Sequence, residues 1–259
     1  MAVKTPLRPT MPDTKLAELM TLLGGSDTVE LKLTLPAGQQ RAAIRSLGLD
    51  PLDAQIRQVV FFDTPDLALD RAGVVVRARR IQGRPGDSVV KLRPLDPPDR
   101  VGDPVRRLEG FGVEVDAMPD RFVCSGRLKA EADSGAVHKV LLGERAPRKL
   151  FTKAQRAFFR EHAPNGVELD ELAVLGPIFV LKAKWQPRDH ARKVVAEMWL
   201  YPDGTRIFEL STKCLPSEAF QVAAEERVYL GEHGIDLSGE QQTKTRTALE
   251  FFARELATG

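Results

Sequence analysis

The sequence predicts an α+β protein whose centre is an eight-stranded antiparallel β-barrel, closed on itself, with helices packed outside. Eight segments show the alternation of apolar and polar residues that is typical of strands. Most of them are joined by short turns rather than by regular crossover helices, which argues against a doubly wound parallel sheet. Eight antiparallel strands can close into a small barrel that is wide enough to hold one small ligand.

The N-terminal segment, residues 1–26, is predicted to be a loose leader followed by one short helix that ends at Gly24 and Gly25. Residues 27–256 are predicted to form a single domain. Within it, the segment at about 120–175 is predicted to be a helical insertion, because its pattern is mostly helical.

The predicted strands follow one another with turn residues between them. In the first strand, Val29 and Leu31 share one face while Glu30 and Lys32 share the other. The fifth strand contains two glycines and is predicted to be bent or bulged. The strands are predicted at residues 28–35, 57–63, 74–81, 88–93, 105–116, 178–185, 193–201 and 205–213. Helices are predicted at 39–47, 217–231 and 241–256, with a helical turn at 67–72.

Composition excludes several classes of protein. Of the 259 residues 42% are apolar and 29% charged, which excludes a disordered or fibrous chain. The 38 Lys and Arg nearly balance the 36 Asp and Glu, so global charge does not predict nucleic-acid binding. No apolar run predicts a membrane span or a signal peptide. Cys124 and Cys214 are predicted to be free thiols, which indicates a cytoplasmic protein.

Charged residues two positions apart recur on the predicted strands, and side chains two apart share a face. For a single strand, a solvated sheet face is the simpler interpretation. However, Arg77 and Arg79 lie across one hairpin from Lys91 and Arg93, and four facing cations destabilise a sheet unless an anion lies between them. Other strands carry Glu30 with Lys32, Arg107 with Glu109, Lys182 with Lys184, Glu197, and Glu209 with Lys213.

Cations and carboxylates facing one lumen would suit a polyanion that is bound together with a divalent cation. Arginine binds phosphate oxygens in a forked geometry, and lysine binds them as a point charge. Carboxylate oxygens are ligands for Mg²⁺ or Mn²⁺. The sequence has neither a P-loop nor a dinucleotide-binding glycine motif, and its four histidines lack the spacing of a metal site.

Several segments resemble the CYTH domain, also called the triphosphate tunnel metalloenzyme superfamily, which includes class IV adenylate cyclases, thiamine triphosphatases and inorganic triphosphatases. The most specific segments are FFDTPDLAL at 61–69 and AGVVVRARR at 72–80. VELK at 29–32 is similar to the end of the E-x-E-x-K signature, and VKLR at 90–93 is similar to a later family strand. The resemblance covers nearly all of residues 27–256.

The resemblance implies a tunnel that binds triphosphate, polyphosphate or a nucleoside triphosphate with Mg²⁺ or Mn²⁺, and hydrolysis of the bound compound. It implies catalytic roles for Lys32 and Glu197, and metal binding by Glu30, Glu109 and Glu209. The residues expected to contact phosphate are Lys32, Arg77, Arg79, Lys91, Arg93, Arg107, Lys182, Lys184 and Lys213.

The chain also departs from the family pattern, since Thr28 and Ser211 stand where carboxylates are expected. Fewer carboxylates mean weaker metal binding, which affects catalysis more than phosphate binding. Three alternatives therefore stay open: a class IV adenylate cyclase-like activity on ATP, a non-catalytic binding module for polyphosphate or nucleotide, and a structural barrel with a solvated polar face. No membrane or nucleic-acid partner is expected, and a homodimer stays open.

Overall fold

The computed structural model describes residues 13–95 and 101–258, and nine strands in these ranges form one closed barrel. The strands are β1 (Thr28–Leu35), β2 (Gln55–Asp63), β3 (Val74–Ile81), β4 (Arg84–Leu92), β5 (Phe111–Ala117), β6 (Phe122–Ala132), β7 (Ala173–Trp185), β8 (Val194–Leu200) and β9 (Arg206–Cys214). Around the barrel they follow the order β1, β5, β6, β4, β3, β2, β7, β8, β9.

Helices lie between the strands and at both ends of the described chain. They are α1 (Asp13–Gly24), α2 (Ala37–Ser46), α3 (Ala68–Arg71), α4 (Asp103–Arg106), α5 (Ser134–Leu141), α6 (Lys153–His162), α7 (Ala219–Glu232) and α8 (Lys244–Thr258). The leader predicted before α1 lies outside the described residues. No helix in the described ranges is long and apolar enough to span a bilayer. Cys124 and Cys214 are free and buried, as predicted.

The predicted closed barrel with outer helices is confirmed, but its strand count and pairing differ in detail. The sequence RLKAEA at 127–132 was assigned to the helical insertion, whereas it lies in β6, which pairs with both β4 and β5. Its alternation of charged and apolar residues is the strand signal that the helical interpretation overlooked. In addition, β1 and β5 pair in parallel over four residues, so the barrel is mixed rather than purely antiparallel.

The predicted strand at 105–116 is divided in the structure. Its first part forms the helix α4 and a turn, and the strand β5 begins only at Phe111. Gly110 lies between the two parts with a φ of 81°, a left-handed conformation that interrupts an extended chain. This turn moves Arg107 and Glu109 off the strand, which has consequences for the site.

The apolar side chains form two clusters outside the barrel and a third inside it. The third cluster occupies one end of the lumen, where Phe61, Trp199 and Ile207 pack against Ala248 and Leu249 of α8. The C-terminal helix therefore packs into one end of the barrel. The rest of the lumen is polar and leads to the opposite end, where β3 turns into β4.

Candidate functional site

The lumen contains a cavity of about 310 Å³ to which all nine strands or the residues just after them contribute side chains. Among the described residues that line it, thirteen are lysine or arginine and five are aspartate or glutamate. The cations are Lys32, Arg57, Arg77, Arg79, Arg84, Lys91, Arg93, Arg127, Lys129, Lys182, Lys184, Lys213 and Lys244. This excess of positive charge in a confined space favours an anion with several charges.

Most of the candidate residues from the sequence lie together in this lumen. The cations among them are Lys32, Arg77, Arg79, Lys91, Arg93, Lys182, Lys184 and Lys213, and the carboxylates are Glu30, Glu197 and Glu209. The strand period of two explains their convergence, because every second side chain of a barrel strand points inward.

Two candidates lie elsewhere, so their placement in the lumen was wrong. Arg107 lies at the end of α4 with 82% of its side chain exposed, and it pairs with Asp103 on the protein surface. Glu109 is exposed in the following turn. The alternation that was predicted to carry both residues into the lumen begins only after Gly110.

Other tunnel residues were missed by the sequence analysis. The sequence VEVD at 113–116 has the expected alternation, and it places Glu114 on the lumen and Asp116 beside it with no side-chain exposure. Arg127 and Lys129 were missed because β6 was interpreted as helical. Lys244 belongs to a helix distant in sequence from the strands, and no strand pattern could have found it.

Glu114 and Asp116 each hold several cations of the tunnel. Lys91 Nζ lies 2.8 Å from Glu114 Oε1, and Arg127 Nε lies 3.0 Å from Glu114 Oε2. Asp116 Oδ1 lies 2.7 Å from Lys32 Nζ, and Asp116 Oδ2 lies 2.8 Å from an Arg93 nitrogen. Both contacts are ion pairs whose angles are not those of a hydrogen bond. These two carboxylates therefore join β1, β4 and β6 through β5.

These ion pairs determine the charge states of the carboxylates. Burial alone would raise the pKa of Glu114, but Lys91 and Lys213 lower it far more. Burial also opposes ionisation of Asp116, and Lys32 and Lys91 again lower its pKa well below the usual range. Both groups are thus ionised at neutral pH.

A second cluster lies deeper in the tunnel, next to α8. Glu197 and Glu209 are directly opposite each other on β8 and β9. The ammonium of Lys244 contacts both carboxylates, at 2.7 Å from Glu209 Oε1, and lies 5.0 Å from the centre of the Trp199 ring. Lys182 Nζ lies 2.6 Å from Glu197 Oε1. An ammonium from the C-terminal helix thus occupies the position between the two carboxylates.

Two arginines of the tunnel combine a buried Nε atom with the absence of any carboxylate within 4.0 Å among the described residues. Arg57 is 6% exposed, and its Nε has no hydrogen-bond partner there. Arg77 Nε is also buried and unpartnered. Burial, reinforced by the neighbouring Arg79, lowers the pKa of Arg57 and of Arg77 to about 10. Buried polar groups normally have partners, so these guanidinium groups are positioned to receive an anion.

The carboxylates also bear on whether the tunnel suits a divalent metal ion. Their hard oxygen donors fit Mg²⁺ or Mn²⁺ chemically. However, no group of three or more His, Cys, Asp or Glu in the described ranges is arranged to hold a metal ion. Lys244 contacts both Glu197 and Glu209, and Ser211 Oγ donates a hydrogen bond of 3.0 Å to Glu30 Oε1. A metal ion at Glu197 and Glu209 would therefore compete with the ammonium of Lys244.

The sequence matches no family model and is significantly similar to no curated protein. Solved structures do resemble it. A proposed adenylate cyclase from Bacillus halodurans superposes with a TM-score of 0.58 over 85% of this chain and 97% of its own, at 11% identity. A proposed adenylyl cyclase from Hippeastrum, for which a dominant triphosphatase activity is described, gives 0.59 over 83% of this chain and 92% of its own, at 18% identity.

At these identities the likeness is one of fold. Both neighbours are covered over more than nine tenths of their length, so the similarity includes the barrel as a whole rather than one hairpin. The chain therefore has the fold of these two proteins, which is the closed tunnel that its sequence resemblance to the CYTH superfamily implies.

Proposed function

We propose that the chain binds compounds containing a triphosphate group inside the tunnel and hydrolyses them. The observation that carries this proposal is the large excess of cations over carboxylates along a closed cavity of about 310 Å³. Oxygens of successive phosphates would provide the missing partners of Arg57 and Arg77. Inorganic triphosphate, a longer polyphosphate and a nucleoside triphosphate all present this chemistry.

The proposed phosphate contacts come from different sides of the barrel. Arg77 and Arg79 project from β3, and Lys91 and Arg93 project from the neighbouring strand β4 or just after it. Lys182, Lys184 and Lys213 line the lumen from β7 and β9. Cations around the whole circumference can neutralise a linear chain of phosphates along the tunnel axis, and such positioning supplies most of the catalysis in phosphoryl transfer.

In the proposed hydrolysis, a water oxygen attacks the terminal phosphorus while the bond from that phosphorus to the bridging oxygen breaks. Burial opposes ionisation of Glu197, yet Lys244 and Lys182 hold its pKa well below its usual range. Such a weak base suits a role in orienting the water through a hydrogen bond. Lys32, held by Asp116 and Glu30, would stabilise charge on the phosphate oxygens.

A divalent ion, Mg²⁺ or Mn²⁺, belongs to this proposal as the group that would polarise the phosphoryl oxygens when bound. Glu209 and Glu30 are the proposed ligands, and Glu109 is excluded by its position outside the tunnel. Glu197 lies opposite Glu209 and could share the ion once Lys244 has moved.

The Hippeastrum neighbour supports hydrolysis, since a dominant triphosphatase activity is described for that protein. The second candidate function is non-catalytic binding of polyphosphate or nucleotide. It is favoured by the ion pairs of the tunnel, because carboxylates that contact lysine and arginine side chains are less available to a metal ion. A cyclase-like reaction on ATP is the third, suggested by both neighbours.

The proposed location is the cytoplasm, based on two free, buried thiols.

The test is to incubate the purified protein with inorganic triphosphate, ATP or thiamine triphosphate, with and without Mn²⁺, and to measure released phosphate, pyrophosphate and cyclic AMP. Hydrolysis predicts phosphate release that depends on the metal. Pyrophosphate with cyclic AMP would identify the cyclase, and tight binding without any product would identify the binding module. Absence of both binding and turnover would contradict the tunnel proposal.

A further inference from the structure

A separate cavity of about 290 Å³ lies where the helical turn Pro147–Leu150, the helix α6 and residues 168–170 meet. Its volume is near the lower end of the range for small-molecule sites. None of the residues that line it also lines the tunnel. We call it the outer pocket, and its charged lining consists of Arg148, Lys149, Arg156, Arg160, Glu168 and Asp170.

The outer pocket has more positive than negative side chains. Arg148 Nε pairs with Asp170 Oδ2 at 2.8 Å, which offsets one charge of each sign. Three cations then remain against the single carboxylate of Glu168, and these cations are Lys149, Arg156 and Arg160. Within the described part of the chain, none of the four has an oppositely charged partner within 4.0 Å. The pocket is therefore an anion site by its charge.

Two of its arginines are held in place by the protein itself. Arg156 Nη1 donates a hydrogen bond of 2.6 Å to the carbonyl oxygen of Phe151. Arg148 is held by Asp170, which also accepts a hydrogen bond of 3.2 Å from the backbone N–H of Arg148. Phe159, a buried apolar residue, lines the same pocket. Charges beside an apolar wall attract an anion more strongly than charges surrounded by water.

The unpaired cations also repel one another. Arg156 and Arg160 are four residues apart on α6, a spacing at which like charges destabilise a helix. Lys149 lines the same cavity from the helical turn that precedes α6. An anion between these three side chains would relieve the repulsion. Guanidinium groups bind phosphate oxygens in a forked geometry, and an ammonium binds them as a point charge.

We propose that the outer pocket binds a small inorganic phosphate anion, either phosphate or pyrophosphate, through Lys149, Arg156 and Arg160. The site is separate from the tunnel, and the inference goes beyond the proposed function. The carboxylate of Glu168 opposes binding, so a singly charged anion such as chloride binds much less tightly than pyrophosphate.

The test is phenylglyoxal labelling of the full chain followed by peptide mass spectrometry. This reagent modifies free guanidinium groups, so the labelling rate of each arginine is measured separately. Arg160 is exposed and reports on the outer pocket. Arg145 is also exposed but does not line the pocket, which makes it the internal control. Labelling is measured with increasing pyrophosphate and with sodium chloride at matched ionic strength.

We expect pyrophosphate to slow the labelling of Arg160 by about tenfold near saturation and to leave Arg145 unchanged. Lys149→Gln should raise the pyrophosphate concentration that gives half of this protection by about fivefold, because it removes an exposed charged contact. Lys153→Gln is the matched control. It removes an exposed lysine of α6 that does not line the pocket, so the half-protecting concentration should stay nearly unchanged.

Equal protection of Arg145 and Arg160, or equal protection by sodium chloride, would overturn the inference by showing only ionic screening. Equal effects of Lys149→Gln and Lys153→Gln would also overturn it, because net charge would then account for the binding.

The tunnel variant Lys91→Ala separates the two sites. Arg160 should be protected in this variant as in the wild-type protein, and loss of its protection would contradict a separate site. Failure of triphosphate to bind in the tunnel, by contrast, would refute the proposed function and leave the outer pocket unaffected.

Discussion

At the scale of single residues, Arg57 and Arg77 are the tunnel arginines that carry unsatisfied hydrogen-bond donors. Their buried Nε atoms have no hydrogen-bond partner among the described residues, and each lies close enough to Arg79 for repulsion to lower its pKa. A buried donor without a hydrogen-bond partner destabilises the fold. The free protein therefore contains unfavourable interactions that a bound polyanion would relieve.

Lys91→Ala and Glu209→Gln are expected to impair the site differently. Lys91→Ala removes a charge-assisted contact worth about 1.5–3 kcal/mol, so triphosphate binding should weaken by about one to two decades with or without metal. Glu209→Gln keeps the shape and removes a proposed metal ligand, so metal-dependent turnover should fall while metal-free binding persists or strengthens. Calorimetry with and without Mn²⁺ measures both effects. Similar losses of metal-free binding in both variants would contradict the separate roles.

Lys244→Met is expected to raise the affinity of the free protein for Mn²⁺. The substitution removes the ammonium that contacts Glu197 and Glu209, so this cation no longer competes with the ion for either carboxylate. Loss of this competitor should strengthen Mn²⁺ binding by about tenfold, measured by calorimetry or electron paramagnetic resonance.

Lys184→Met is the matched control, because Lys184 lines the same cavity and has no carboxylate within 4.0 Å in the described part of the chain. Both variants remove one positive charge from the tunnel. An equal rise in Mn²⁺ affinity in both would mean that net charge, rather than the contact of Lys244, governs metal binding.

At the scale of elements, the path of β5 depends on Gly110. This glycine has a φ of 81°, and a Cβ atom there would lie 2.0 Å from the carbonyl oxygen of Lys129 on β6. Neither the backbone conformation nor the space admits a side chain. The turn lets β5 start in register with β6 and places Glu114 and Asp116 at the lumen.

Gly110→Ala is therefore expected to lower the free energy of unfolding by about 1–3 kcal/mol, the usual range for a strained backbone position. Urea unfolding followed by circular dichroism measures the change. Gly112→Ala is the control within the same strand, because its nearest contact would be an ordinary 3.7 Å. Equal stability of the two variants would contradict a structural requirement for glycine at position 110.

At the scale of the whole molecule, stability depends on charges that meet across the barrel. Burial opposes ionisation of Glu114, Asp116 and Glu197, but tunnel cations lower the folded-state pKa of each below its ordinary value. A lowered carboxyl pKa stabilises the folded state above the unfolded pKa of about 4, and this contribution is lost as the pH falls toward the folded value.

We therefore expect the free energy of unfolding to decrease steeply between about pH 5 and pH 2. Denaturant unfolding at a series of pH values at constant ionic strength measures this dependence. Glu114→Gln should show a shallower decrease, because one titrating group with a lowered pKa has been removed. A wild-type stability that stays constant over this range would show that the tunnel ion pairs do not contribute to folding.

The alternation of apolar and polar residues along the strands was enough to identify most of the side chains that line the lumen. Residues two apart on a strand share a face whatever the rest of the chain does, so Glu30 with Lys32, Arg77 with Arg79 and Lys182 with Lys184 could be grouped from sequence and do lie together. The same reasoning was wrong for Arg107 and Glu109, because both residues precede the left-handed turn at Gly110 and so do not belong to strand β5. The alternation of apolar and polar residues does not reveal the conformation of such a turn.

Only the tertiary structure decided which groups meet across the barrel. The short parallel pairing of β1 with β5 joins segments about 85 residues apart, and it brings Asp116 to Lys32. The ammonium of Lys244 reaches Glu197 and Glu209 because α8 packs its apolar face into the end of the lumen. Such contacts follow from barrel closure and helix packing, in which residues far apart in sequence bury each other's apolar surface, and the local periodicity of either segment carries no information about its partner.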